Sequence, residues 1–289
     1  MKILITGGNG FIAKNLVEQL ENKYEIISPN SKELNLLDQG KVFEFLKNNR
    51  FNIIIHTATY DAAPKHSIKD PTKVLENNLK MFFNIARCEE FFDKMIFFGS
   101  GAEYNRKNWI PKMSETYFDK YIPEDQYGFS KYIMTKYALS HDKIYNLRLF
   151  AVFGKYEDWK VRVISNLCYN AIFDKPLIIT NDKFFDFLEI RDLVRIVKWM
   201  IENNPKEKVY NVCSGEVINC QGIAEKINHI SGKNLEIIKE KESKIEYSGD
   251  NSLLLNEIKD FEFKNFNESL KELYEWHDKN KQELFQENN

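Results

Sequence analysis

The chain begins MKILITGGNGFIAKNL, and this stretch constrains the fold more than any other in its 289 residues. Ile3, Leu4 and Ile5 make an apolar run as long as a buried parallel strand, and Phe11 to Leu20 read as the first turns of a helix. Between them Gly7, Gly8 and Gly10 form a turn too tight for side chains. Strand, glycine turn and helix N-terminus in that order suit a pyrophosphate, which backbone N–H groups and the positive end of a helix dipole can receive. The spacing is Gly7-x-x-Gly10-x-x-Ala13, with alanine where a third glycine is usual. Alanine still permits close packing of helix on strand. A glycine turn alone does not decide the matter, because any strand–helix connection can use one.

The rest of the chain sustains the alternation. Residues 24–28, 52–58, 94–100 and 143–150 read as strands, and 38–49, 70–91 and 124–141 as helices. This βαβα rhythm predicts an α/β fold, a Rossmann doubly wound parallel sheet whose ligands sit at the carboxyl ends of the strands. The Gly7 turn, His56–Thr59 and Ser100 then share one rim. Beyond Gly154 the rhythm loosens into amphipathic helices over 161–173 and 192–204, a strand over 209–215 and a helix over 220–232 capped by Gly232. The tail alternates short elements with charged stretches and ends in a polar, frayed terminus rich in Glu and Asn. With no linker or repeat, residues 1–155 read as the dinucleotide-binding domain and 156–289 as mainly a smaller substrate-binding lobe, elements around 175–215 being able to return to the sheet.

Composition narrows the class. A hydrophobic content of 43% supplies a sizeable core, and a formal charge of −2 argues against nucleic acid or an anionic membrane as partner. The apolar start is only a strand long, and no run approaches the roughly 20 residues of a membrane span. Cys88, Cys168, Cys213 and Cys220 lie far apart, which suits reduced thiols in a cytoplasmic protein, and the five histidines show no metal spacing. No metal site is expected.

The chemistry concentrates in YGFSK, where Tyr127 and Lys131 stand four apart on one helix face. A tyrosine acting as a general acid or base needs its pKa lowered from about 10, and a lysine one turn away supplies positive charge. The same lysine can hold a cofactor ribose. Ser100 ends the fourth strand in FFGSGAEY, where its hydroxyl can hydrogen-bond a substrate carbonyl while Tyr127 donates a proton.

TGGNGFIA, the Ser100 strand end and Tyr127-x-x-x-Lys131, in that order, resemble the extended short-chain dehydrogenase/reductase family of nucleotide-sugar enzymes. Further matches are ELNLLD (33–38), HTAT (56–59), Asn78 six residues before Asn84, LRLFAVFG (147–154), DFLEIRD (186–192) and YNVCSG (210–215). Within the family the pattern is most similar to the 4-keto reductases like GDP-fucose synthase. The resemblance implies a nicotinamide cofactor and Ser100, Tyr127 and Lys131 as the catalytic set. It places Gly7, Gly10, Phe11, Ile12 and Ala58 against the dinucleotide, with Asp38 at the adenine. It puts Ser100, Gly101, Ala102 and Arg162 toward the substrate. Asp38 suits a helix N-cap equally well. Family members commonly pair the helices at 70–91 and 124–141 across a two-fold axis, so a homodimer is expected.

Departures from the pattern carry information. Dehydratases of the family keep an acid two places after the serine, and the fucose-synthase type keeps a cysteine there; this chain has Ala102. The synthase's second epimerising group is a histidine before a Val-Ile pair, where Arg162 precedes Val163-Ile164. Neither replacement can shuttle a proton, since an arginine pKa lies above 12. Glu103 neighbours Ala102, but on an extended segment it should point the other way. The family's asparagine near the strand-end glycine and its diphosphate-contacting arginine read here as Ala151 and Phe185, with Lys160, Arg162 or Lys183 as replacement charges. At the end of the second strand Asn30, Ser31 and Lys32 suit a 2′-phosphate, and no acid stands before Glu33. This favours NADPH and leaves NADH open. The expected activity is reduction of a nucleotide-linked, GDP-linked by preference, 4-keto-6-deoxy sugar for surface polysaccharide, without epimerisation. A 4-epimerase retaining NAD and an inactive redox-sensing member are the competing readings.

Overall fold

The computed structural model describes residues 1–61 and 68–284; the polar terminus from 285 onward lies outside them. The opening motif forms β1 (Lys2–Thr6) and α1 (Phe11–Leu20), followed by β2 (Glu25–Ile27), α2 (Gln39–Asn49) and β3 (Phe51–His56). Next come α3 (Val74–Ala86), β4 (Phe92–Ser100), α4 (Gln126–Ala138), β5 (Ile144–Leu149) and β6 (Ala151–Phe153). The later elements are α5 (Val163–Ile172), β7 (Leu177–Ile179), β8 (Asp182–Glu189), α6 (Ile190–Glu202), β9 (Val209–Val212), β10 (Val217–Asn219) and α7 (Cys220–Ser231). They end with β11 (Ile237–Lys239), β12 (Glu242–Tyr247), α8 (Ser252–Glu257) and α9 (Phe266–Lys279).

Six strands form one parallel sheet in the order β2-β1-β3-β4-β5-β9. Alternation along β1 shows why helices cover both faces. Ile3 and Ile5 pack with Leu16 of α1 and Leu193 and Val197 of α6, while Leu4 packs on the other face with Val42, Phe82 and Met134 of α2, α3 and α4. This is the Rossmann architecture. The strand order reverses between β1 and β3, so the crevice at their carboxyl ends is the switch point where ligands bind. α6 and β9 come from the second half of the sequence, yet they complete the core and the sheet of the first.

The remaining elements make a separate core. β8 pairs with β10, β12 and β6, β11 pairs with β7, and Leu167, Cys168, Ile223 and Leu270 bind α5, α7 and α9 together. Gly232 takes φ +68° and caps α7 as expected.

Three local readings need correction. The helix expected over 70–91 is a 3-10 turn at Pro71–Lys73, then α3, then a second 3-10 turn at Glu89–Phe91, because buried Phe91 and Phe92 draw the chain into the sheet. The helix expected over 124–141 starts where Asp125 accepts the Gly128 N–H at 2.8 Å and stops at Ala138. The tail holds a 14-residue helix, α9, whose buried Leu270, Leu273 and His277 mark one face of an otherwise charged segment.

Candidate active site

Ser100 is the last residue of β4, and the chain then tightens into a 3-10 turn over Gly101–Tyr104 instead of the extended segment expected. The Ala102 N–H donates to Ser100 Oγ at 3.2 Å and the Ser100 N–H to Glu103 Oε1 at 2.9 Å, a reciprocal cap. Glu103 does turn away from the cleft, although the turn and not strand alternation aims it. Fully buried, its Oε2 accepts from Arg148 Nε at 2.8 Å and Thr135 Oγ1 at 2.9 Å, so the carboxylate is committed to the framework. Gly101 sits under rings: a Cβ there would come within 2.6 Å of Tyr247 and 2.8 Å of Phe150. Ala102 is fully buried.

α4 reaches this turn because Gly128 lets it; a Cβ there would meet the Ala102 carbonyl oxygen at 2.7 Å. The approach puts half-buried Tyr127 beside the Ser100 hydroxyl. Lys131 is one turn on, its Nζ 5.8 Å from the centre of the Tyr127 ring and donating to the Phe98 carbonyl at 2.8 Å. Burial pushes the Lys131 ammonium down to about 8, against the pull of the Glu103 and Asp61 charges. Tyr127 departs from the sequence expectation. Its phenol lies above its ordinary value, chiefly through burial and then the Asp61 charge, with the Ser100 hydroxyl, Arg162 and Arg106 opposing. A phenol shifted that way holds its proton, which suits a donor. His56 is structural here: buried, its Nδ1 3.0 Å from Thr6 Oγ1, and pushed down to about 3 by burial and then by Lys131.

The glycine turn lies next to this cluster along the rim. Gly7 has φ +70°, and a Cβ would meet Ala58 Cα at 3.0 Å; at Gly8 it would meet the Ser28 carbonyl oxygen at 2.3 Å. The Gly10 N–H donates to the Gly7 carbonyl at 2.8 Å, and α1 starts directly afterwards, so the N–H groups of Phe11, Ile12 and Ala13 have no intrahelical acceptor. Asn30 Oδ1 accepts the Lys32 N–H at 2.9 Å, and exposed Ser31 and Lys32 stand at the tip of that loop. Glu33 folds back to accept the Asn30 N–H at 2.8 Å. Asp38 caps α2 through the Lys41 N–H at 3.0 Å. A cradle that side chains would fill, facing open helix N–H groups, fits a dinucleotide.

Other matched residues are framework. Asn78 holds the backbone of Tyr60 through two hydrogen bonds of 2.8 and 3.0 Å, and Asn84 donates to the Leu36 carbonyl at 2.9 Å. Asp186 is buried and gathers the Ser214 N–H and Oγ and the Gly215 N–H at 2.6–2.8 Å. Arg162 precedes α5, exposed, 4.0 Å from the Asp61 carboxylate. Ala151 lies on β6 and Lys183 on β8, and Lys160 lies 5.5 Å over the Trp159 ring. Phe185 lies at the edge of an aromatic cluster that includes Tyr104, Trp109, Phe150 and Tyr247.

Sequence reasoning missed Asp61, whose charge reaches Tyr127 and Lys131, and Tyr247, whose hydroxyl lies 3.3 Å from Ser100 Oγ. It also missed buried Glu157, which burial pushes up to about 7. None sits in a recognisable motif. Among the described residues no group of three or more His, Cys, Asp or Glu side chains could hold a metal, and no helix is long and apolar enough to cross a membrane.

A dinucleotide cradle beside a serine, tyrosine and lysine defines a class of nicotinamide-dependent enzymes. The chain belongs to the NAD dependent epimerase/dehydratase family, which it matches over residues 3–213. It is 36% identical to GDP-L-colitose synthase of Yersinia pseudotuberculosis over 107 residues, which span 36% of this chain and only 35% of that protein. It is 30% identical to dTDP-4-dehydro-6-deoxyglucose reductase of Escherichia coli over 260 residues, 78% of this chain and 80% of that one. The fold matches UDP-glucose 4-epimerase of Thermotoga maritima, solved with UDP-glucose, with TM-score 0.84 at 22% identity, covering 96% of this chain and 99% of that one. Solved proteins of the same fold hold NADP in one case and NAD in another.

Proposed function

We propose that this protein is an NADPH-dependent reductase of the 4-keto group of a nucleotide-linked, by preference GDP-linked, 4-keto-6-deoxy hexose or heptose. Its product would supply surface polysaccharide. The observation that carries the reading is the junction of Ser100 and Tyr127 around a turn whose second residue, Ala102, is a buried methyl. Gly7, Gly10, Phe11, Ile12 and Ala58 would hold the dinucleotide, with Asn30, Ser31 and Lys32 toward a 2′-phosphate and Asp38 at the adenine end. When bound, that cofactor supplies the hydride. Ser100 donates a hydrogen bond to the substrate carbonyl oxygen, and Tyr127, kept protonated by burial, gives that oxygen its proton. The Lys131 ammonium stabilises the resulting phenolate.

Removing a proton beside a ketone needs a positioned base. Ala102 has no titratable group, Arg162 stays charged, and Glu103 is locked to Arg148. Asp61, the remaining carboxylate near Tyr127, lies 4.0 Å from the Arg162 guanidinium, and on this set of groups we infer reduction without 3,5-epimerisation. The relatives named as a GDP-sugar synthase and a 4-keto sugar reductase support the substrate class. We place a homodimer contact on the packed pair α3 and α4, which light scattering would report as twice 34.2 kDa.

The test is NADPH oxidation by purified protein against GDP-, dTDP- and UDP-linked 4-keto sugars. Turnover of one of them is the expected result. NAD that survives purification, with 4-epimerisation of a nucleotide sugar and no net reduction, would replace this reading with a 4-epimerase.

A further inference from the structure

A second phenol reaches Ser100 from 147 residues away along the chain. Tyr247 ends β12, and its hydroxyl lies 3.3 Å from Ser100 Oγ and 3.4 Å from the Leu149 carbonyl oxygen. Its ring is stacked on Trp109 with centroids 4.2 Å apart, and the Trp109 indole N–H donates to the Gly101 carbonyl at 3.1 Å. Phe150 also packs against it, tilted, 5.0 Å between centroids. These contacts fix the phenol beside the serine.

A serine hydroxyl has one proton and two acceptor lone pairs. The Ala102 N–H already takes one lone pair of Ser100, and Tyr127, which shares the Ser100 hydroxyl in the free enzyme, turns to the ketone oxygen in the proposed reaction. We propose that Tyr247 is a positioning residue for ketone reduction: by donating its hydroxyl to Ser100 Oγ it occupies the second lone pair, and the serine proton is left to face the substrate carbonyl oxygen. In the free enzyme the Leu149 carbonyl is the alternative acceptor for the Tyr247 proton, so the phenol can turn to Ser100 when a ketone arrives. Only hydrogen bonds change partners; no proton leaves Tyr247, whose hydroxyl burial pushes far above its ordinary value. A donor that is itself accepting is polarised, which strengthens the bond it gives. The inference rests on the reductase reading.

The experiment is a double-mutant cycle of Tyr247→Phe with Ser100→Ala, on a 4-keto sugar that the unaltered enzyme reduces. Phenylalanine keeps the stack on Trp109 and removes only the hydroxyl, and NADPH binding checks that each variant is folded. In the Ser100 enzyme, Tyr247→Phe should lower kcat about tenfold, less than the 10²–10³ of a direct oxyanion donor, with KM and NADPH affinity held within about twofold. In the Ser100→Ala background the same change should alter kcat less than about twofold, because the group it acts through is gone. Equal losses in both backgrounds would mean packing alone and overturn the inference, as would an unchanged kcat in Tyr247→Phe. Full turnover by both Tyr127→Phe and Ser100→Ala would remove those two groups from the mechanism and the inference with them, and an unaltered enzyme that reduces no 4-keto sugar would overturn the reductase reading itself.

Discussion

The two sides of the cleft are built from different materials. On the sheet side, a set of polar groups near Ser100 hold one another: Glu103 is held by Arg148, Asn146 and Thr135, Lys131 by the Phe98 carbonyl, and Arg148 again by the Tyr104 hydroxyl at 2.6 Å. On the facing side, Trp109, Phe150, Phe185 and Tyr247 present stacked and tilted rings with few polar atoms. The first arrangement fixes where protons and charges sit, as chemistry requires. The second is held by packing and sets shape. The proposed catalytic groups therefore stand beside a buried hydrogen-bond network, whereas the rings are held mainly by packing.

The largest effect should come from the proposed proton donor itself. Tyr127→Phe removes the proton donor, and turnover should fall roughly 10²–10⁴-fold while NADPH binding stays near normal. Near-normal turnover would remove Tyr127 from the mechanism. Arg148→Leu probes the network itself, leaving the Glu103 carboxylate buried without its ion pair; unfolding free energy should drop by about 3–5 kcal/mol in urea titrations. A loss under about 1 kcal/mol would show that the sheet side is no more cooperative than the aromatic side.

Acid should also act on the sheet side. His56, ordinarily near 6.5, is held at about 3 in the folded protein, so the unfolded chain takes up its proton first as the pH falls. Stability from this group is full above 6.5 and is lost on the way down toward 3. Between pH 6.5 and 5 the loss is roughly 1.5 kcal/mol, and His56→Asn should flatten the stability curve by that amount relative to the unaltered protein. His277 in α9, held near 4 by burial, acts in both proteins and cancels in the difference. An identical acid response in both would show that His56 is not insulated from solvent protons.

The contrast between the two sides explains what could be read from the sequence. Gly7, Ser100, Tyr127 and Lys131 were legible because each stands at a fixed place in a local pattern: the end of a strand, the start of a helix, one helical turn. The core strands were legible because parallel strands buried on both faces are continuous apolar runs, as in Ile53-Ile54-Ile55. Tyr247 was not legible, because ESKIEY is a charged edge segment whose meaning comes from pairing with β8. Asp61 lay hidden for a similar reason, its place set by a loop after β3 and not by periodicity. The reading of Tyr127 as a phenol lowered by Lys131 is reversed chiefly by burial and then by the Asp61 charge, neither of which spacing along a helix reports.

The central claim is reduction without proton exchange beside the ketone, and solvent deuterium tests it most directly. The reaction is run with NADPH in deuterated water on the sugar that the enzyme reduces, and the product is examined by mass spectrometry and NMR. The account predicts no enzyme-dependent deuterium at carbon 3 or carbon 5 above a no-enzyme control. Deuterium at either carbon would contradict it and point to Asp61, the carboxylate whose charge reaches Tyr127, as the base.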